Sequence, residues 1–488
     1  MAYIIRIRSC QFDLRSITVE PVVFLYMFTS FLTLATFQAL TYEKVCKQHY
    51  NTTVCANLEN KTFEVEEEFV QKTTSSWILY TNLALGLPSL VIVVLFLGPW
   101  GDRVDRKIPV ICPLIGGILA TVSNIVNSVY IDAPLPYILI GPFLNGLAGS
   151  FIAVLMAVYS YIAHVSTPAY RTIKIGILEA MIFLSGTVGT ALSGVILDQT
   201  SYVFVFSLIA GIMILALLYT IVWVDSIKPE STPDTNKEVK NCCQSFLLAS
   251  VKDVFLCVYD KRRSKNFIQL ALLNVVIFVL MLVSVGEADI LLIYTRRRPF
   301  EWSQTTYALY RGLESFLRGI AVLTLLPILK RQFKTRDTTF MILGLVSKTA
   351  ALVVLGVGNS TAVLFIGAVS GLLIGFGSAG MRSMSSGMVS SSEQGKLYSL
   401  IGMVESISTL AATSLFNTVY SATLDFYAGF CFLIAAVLVG CCLIIAGYLH
   451  IKLSKDTARD YDTLQNEIAA NEVVIDQHNI QTDTEVES

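Results

Sequence analysis

The sequence predicts an all-α membrane protein with twelve transmembrane helices arranged as two six-helix lobes. Three observations carry this expectation. Of the 488 residues, 54% are hydrophobic and 15% charged, which lies above the apolar range of ordinary soluble domains. The apolar residues fall into twelve runs, each near the ~20 residues that cross a bilayer core. A polar, charged stretch separates six of these runs from the other six.

Taken in order, residues 1–20 form an inner N-terminus with Arg6, Arg8 and Arg15 ahead of the first apolar run. That run is too long for a signal-peptide core and lacks a small-residue cleavage site, so it reads as a retained span. The spans are expected at 21–40, 77–97, 108–130, 135–163, 173–197, 202–224, 266–287, 305–329, 338–357, 361–381, 397–418 and 427–449. The first lobe is then 21–224 and the second 266–449. Residues 225–265, with "SIKPESTPDTNKEVK" and "DKRRSK", form an inner linker, and 450–488 an acidic, disordered tail.

Lys and Arg resist translocation, so their placement orients the chain. The short turns near 98–107 and 330–337 hold Arg103, Arg106, Lys107, Lys330, Arg331, Lys334 and Arg336. Those near 132, 199, 359 and 422 hold none. Both termini are therefore expected on the cytoplasmic side. Residues 41–76 become an outer loop with glycosylation acceptors at Asn51 ("NTT") and Asn60 ("NKT"). Cys46 and Cys55 are the cysteines of that loop, where oxidation can occur, and are the disulfide candidates.

The sequence also argues against other classes. A net charge of −1 with no aromatic-interleaved basic run gives no nucleic-acid footprint. No metal-ligand spacing, phosphate loop or nucleophile with a base is present, so neither a cofactor, a metal nor an enzyme activity is expected. The partners are the lipid bilayer, a small organic solute and protons.

One turn concentrates charge. "GPWGDRVDRK", residues 98–107, places five charges in ten residues between two apolar runs. It resembles the major facilitator signature, with Gly98, Asp102, Arg103, Arg106 and Lys107 in register and Asp105 where the pattern has glycine. The resemblance implies the major facilitator fold and a two-lobed alternating-access transporter. An acid and a base four residues apart can pair with each other and with a helix N-terminus. Asp102 and Arg106 are thus the expected gate latch, and the N-terminus of span eleven near Leu397 is the partner that the resemblance implies.

Longer stretches narrow this further. "RTIKIGILEA" (171–180), "GEADILLIY" (286–294), "MRS" at Arg382, "SSEQGKLYS" (391–399) and "LFNTVYSATLDFYAGF" (415–430) resemble the proton-coupled folate transporter family, solute carrier family 46. The resemblance implies a proton-coupling role for Glu179 and a role in proton and substrate binding for Arg382. Other positions depart from it. Ser284 stands where the folate transporter has a histidine near the end of span seven, Ser150 where it has an aspartate in span four, and Glu301 where the family has an outer cysteine. With that cysteine missing, the resemblance favours a local bond between Cys46 and Cys55.

Ionisable residues inside spans are costly and usually functional. In "YALYRGLESFLRG" (307–319), Arg311, Glu314 and Arg318 share one helical face with Tyr307. This net-positive stripe is the expected solute site, together with Arg382. Glu179 and Glu405 lack partners at helical spacing, and carboxylates of that kind suit a proton carrier. Lys348 reads as a lysine reaching for the interface, and Glu287 and Asp289 as outer-interface residues. Gly367, Gly371 and Gly375 at four-residue intervals permit close helix approach in span ten.

The function expected is secondary active transport of an anionic or zwitterionic organic solute by proton symport. The alternatives are a proton-independent facilitator, or a receptor or scaffold that has lost transport. The membrane is the cell surface or an endolysosome.

Overall fold

The structure is a computed structural model that describes residues 4–7, 10–13, 17–55, 63–228, 267–297, 299–423, 427 and 429–454. Among these, twelve helices are long and apolar enough to cross a membrane. They are α1 Glu20–His49, α2 Val65–Arg103, α3 Ile108–Val129, α4 Leu135–Val165, α5 Pro168–Gln199, α6 Tyr202–Trp223, α7 Phe267–Arg296, α8 Thr305–Gln332, α9 Asp337–Val357, α10 Thr361–Gly387, α11 Gln394–Tyr420 and α12 Phe430–Ser454. Proline opens α1, α3 and α5 near their first turns, where its missing N–H costs nothing. Ser201 and Ser303 cap α6 and α8 by accepting from Phe204 and Thr306 N–H. Large apolar side chains such as Leu87, Val126, Leu218 and Ile444 stay exposed on the outside of the bundle, as helices apolar all round require when lipid is the solvent.

An antiparallel hairpin, β1 Ile4–Ile7 and β2 Cys10–Asp13, precedes α1, an element the sequence reading did not anticipate. The helices also outrun their apolar runs. α1 continues to His49 and α2 begins at Val65, so much of the expected outer loop is helical. Polar residues prolong a helix beyond the bilayer when they pair at i and i+4, as Glu43 does with Lys47 (2.7 Å) and Glu68 with Lys72 (2.7 Å). α12 likewise runs on to Ser454, into the expected tail. Most of the linker, the rest of the tail and Asn60 lie outside the described residues.

The first six helices form one lobe and the last six the other. α5 packs on α8, and α11 packs on α2 and α4, which joins the lobes. The fourth helix of each lobe is broken midway. In α4 the break falls at Gly149, whose φ of +91° suits glycine, and the Ser89 hydroxyl of α2 donates to the Gly149 carbonyl (2.6 Å). In α10 the break follows Gly371. Ser347 of α9 donates to the Ser370 carbonyl (2.6 Å) and accepts from the Leu373 N–H (3.1 Å). A borrowed hydroxyl thus replaces helix bonds that lipid could not satisfy.

Candidate functional site

Three groups of polar side chains meet inside this frame. The central one crosses the lobe boundary. Arg382 of α10 donates from Nε to Glu179 Oε1 of α5 (3.0 Å), and from Nη1 and Nη2 to Glu405 Oε1 of α11 (2.9 and 2.7 Å). The same Glu179 oxygen accepts from the Tyr159 hydroxyl of α4 (2.7 Å) and the Ser378 hydroxyl of α10 (2.6 Å). The guanidinium lies 4.4 Å from the centre of the Tyr159 ring, which stacks on Tyr398 of α11. Tyr398 in turn donates to the Arg382 carbonyl (3.2 Å).

This corrects the expectation that Glu179 and Glu405 are unpaired. Their partner is one arginine on another helix, at a sequence distance that helical spacing cannot reveal. Ser378 and Tyr398 lie beside or within the stretches that carry the family resemblance, and Tyr159 lies in the apolar run of span four; a single hydroxyl in an apolar run does not reveal its partner.

The second group lies in the second lobe. Glu314 of α8 pairs with Arg311 (2.6 Å) and with Arg318, so one carboxylate serves both arginines. Glu314 is 2% exposed, Arg318 11% and Arg311 32%, which leaves Arg311 the reachable member. Lys348 of α9 pairs with Glu287 of α7, each 3% exposed. Lys348 therefore does not reach for the interface, and Glu287 is not an interface residue. A buried lysine and a buried glutamate neutralise each other where water cannot. Glu314 with its two arginines carries +1, and the Lys348–Glu287 pair is neutral.

The third group lies around the 98–107 turn. Asp102 accepts from the N–H groups of Gly395 and Lys396, both at 2.9 Å, which are first-turn donors of α11 without helical partners. Arg106 bonds Asp102 (2.8 Å), the Ser160 hydroxyl (2.7 Å) and the Ser391 carbonyl (2.6 Å). A side chain at Gly98 would overlap the Ser399 side chain of α11, and one at Gly395 would stand 2.6 Å from the Gly98 carbonyl, so glycine at both positions lets the turn touch α11. His164 Nδ1 adds a contact to the Ser391 carbonyl (3.3 Å). A second tie, not anticipated, mirrors the first. Asp337 at the start of α9 accepts from Thr172 of α5 and Ser383 of α10, each 2.7 Å, and pairs with Lys330.

At the outer end, Cys46 and Cys55 form a disulfide. Asn51, between them, is exposed. Among the described residues no group of His, Cys, Asp or Glu could hold a metal.

A family model described as the Major Facilitator Superfamily matches residues 20–413. The proton-coupled folate transporter of Rattus norvegicus is 31% identical over 435 residues, covering 88% of this chain and 92% of that relative. The chain belongs to solute carrier family 46, within the major facilitator superfamily. Another member of the family, the lysosomal proton-coupled steroid conjugate and bile acid symporter of Gallus gallus, is 25% identical over 88% of this chain and 92% of its own length. The crystal structure of the human organic anion transporter MFSD10 (TETRAN) superposes with a TM-score of 0.67 at 13% identity, covering 88% of this chain and 98% of that one. That likeness establishes the fold. This family member is a multi-pass membrane transporter and not an enzyme.

Proposed function

We propose that the chain carries an organic anion together with protons by alternating access. The observation that carries this reading is the single guanidinium of Arg382 held between Glu179 of one lobe and Glu405 of the other. With both acids ionised the group bears −1, and one proton brings it to neutrality. A proton on Glu179 removes its charge attraction to Arg382, which belongs to the other lobe, and weakens the bonds it accepts from Ser378 and Tyr159. Protonation thereby loosens the contact across which the lobes must rock.

The net-positive group around Arg311 supports an anionic solute, bound by charge-assisted hydrogen bonds. The relatives fit this chemistry, since folate and bile acids are organic anions. We place both termini in the cytoplasm and the protein in the cell-surface or endolysosomal membrane. Asp102 and Arg106 act as the inner gate.

Purified protein in liposomes tests the reading with radiolabelled folate and the bile acid cholate as probes, at equal pH and with an acidic exterior. Accumulation is expected only with the pH gradient. Glu179→Gln, which mimics the protonated acid, should keep solute exchange and lose accumulation. Equal uptake without a gradient would indicate a facilitator instead, and no uptake of either anion would remove the anion reading.

A further inference from the structure

The superfamily signature has glycine where this chain has Asp105, and a glycine could make none of the side-chain contacts found there. Asp105 Oδ1 accepts from the backbone N–H of Lys107 (2.9 Å) and of Ile227 (3.1 Å). Its Oδ2 accepts from the exposed hydroxyl of Ser226. The main chain returns the contact, because the Arg106 N–H donates to the Ile227 carbonyl (3.2 Å). Two more bonds hold the end of α6 and the residue after Val224. Lys107 Nζ donates to the Ile221 carbonyl at the end of α6 (2.7 Å), and the Tyr161 hydroxyl to the Asp225 carbonyl (3.3 Å). Ser226 and Ile227, just after α6, are thus fastened along the turn that carries the inner latch.

We propose that Asp105 is a positioning residue of the inner gate, clamping the Ser226–Ile227 strap onto the turn that holds Asp102 and Arg106. The inference rests on reading that turn as the gate. Its physical basis is the double use of Arg106. The backbone N–H of Arg106 is held by Ile227, while its guanidinium, 6% exposed, reaches Asp102, Ser160 and Ser391. A side chain that must meet three fixed partners tolerates little movement of its own Cα. Whatever displaces Ile227 therefore displaces the latch, and the strap continues into the charged sequence that joins the two lobes.

Amide hydrogen exchange on the full chain in lipid nanodiscs, resolved to single residues, tests this without any solute. The N–H groups of Gly395 and Lys396 depend on Asp102 and report the latch. Those of Lys107 and Ile227 depend on Asp105 and report the strap. Asp105→Gly should speed exchange on the order of tenfold at all four, with core helix amides unchanged, because bonds to a charged acceptor are lost. Ser226→Asp, which sets carboxylate against carboxylate, should do the same. Asp105→Asn keeps an acceptor for both N–H groups and should hold exchange within about twofold of the parent.

Faster exchange confined to Lys107 and Ile227, or none anywhere, would overturn the proposal. If Asp105→Gly raises exchange throughout the chain, Ser226→Asp decides by the same criterion. Asp102→Ala, which removes both acceptor oxygens, separates the two readings. It should free Gly395 and Lys396 alone, and if it leaves both protected, the gate reading itself fails.

Discussion

Arg382 can serve two acids because a guanidinium presents five N–H donors in one plane, a geometry lysine lacks. Glu314 solves the converse problem, one carboxylate held between two arginines. The two arrangements make different demands on a substitution. Arg311 is partly reachable, so Arg311→Ala should weaken apparent solute affinity by roughly 10- to 100-fold per folded transporter, with Arg311→Lys rescuing poorly. Glu314→Ala instead leaves two arginines facing each other in a buried site and should cost roughly 3–5 kcal/mol of stability. If Arg318→Ala, combined with Glu314→Ala, restores folded protein while affinity stays normal in every arginine variant, the stripe is structural and the solute binds elsewhere, with Arg382 and Glu405 the next place to look. Each of these side chains stood out in the sequence as a charge within an apolar run. The pairing of Glu179 and Glu405 with Arg382 did not, because it joins residues 203 and 23 positions apart.

At the level of elements, the same economy appears in the helix breaks and the gate. α4 and α10 interrupt their hydrogen bonds where a neighbouring serine supplies replacements. The glycine spacing in α10 signalled close packing, and Gly375 shows it: a side chain there would stand 2.5 Å from Val322 Cγ2 of α8. The break after Gly371 gave no separate signal. The start of α11 is the most sensitive point of the gate. Gly395→Ala would bring a methyl 2.8 Å from Asp102 Oδ1 and must push α11 off the 98–103 turn. Spin labels at the exposed positions Val104 and Lys334, one on each lobe, should then report a longer distance. The population with the inner end open is expected to rise about tenfold, equivalent to ~1.4 kcal/mol. An unchanged distance distribution would mean that the latch does not control closure.

For the molecule as a whole, the proposed orientation rests on the unequal placement of Lys and Arg, and it predicts Asn51 outside. Glycosidase should increase gel mobility, and Asn51→Gln with Asn60→Gln should abolish the change. A change that persists in the double variant would point to Asn359 ("NST") in the turn between α9 and α10, and if Asn359→Gln also leaves it, the assigned orientation fails. The sequence by itself determined the number of spans, the six-and-six division and the transporter family, because the bilayer imposes its thickness on composition and because the 98–107 turn is local. It also pointed to the Cys46 to Cys55 bond, nine residues apart. Only the tertiary structure decided which charges meet. Glu179 finds Arg382, Lys348 finds Glu287, and Asp105 finds Ser226 across helices whose packing is set by shape and by the need to satisfy every buried polar group. Periodicity along one helix names the face a residue occupies, but the neighbour that covers this face is fixed by the fold.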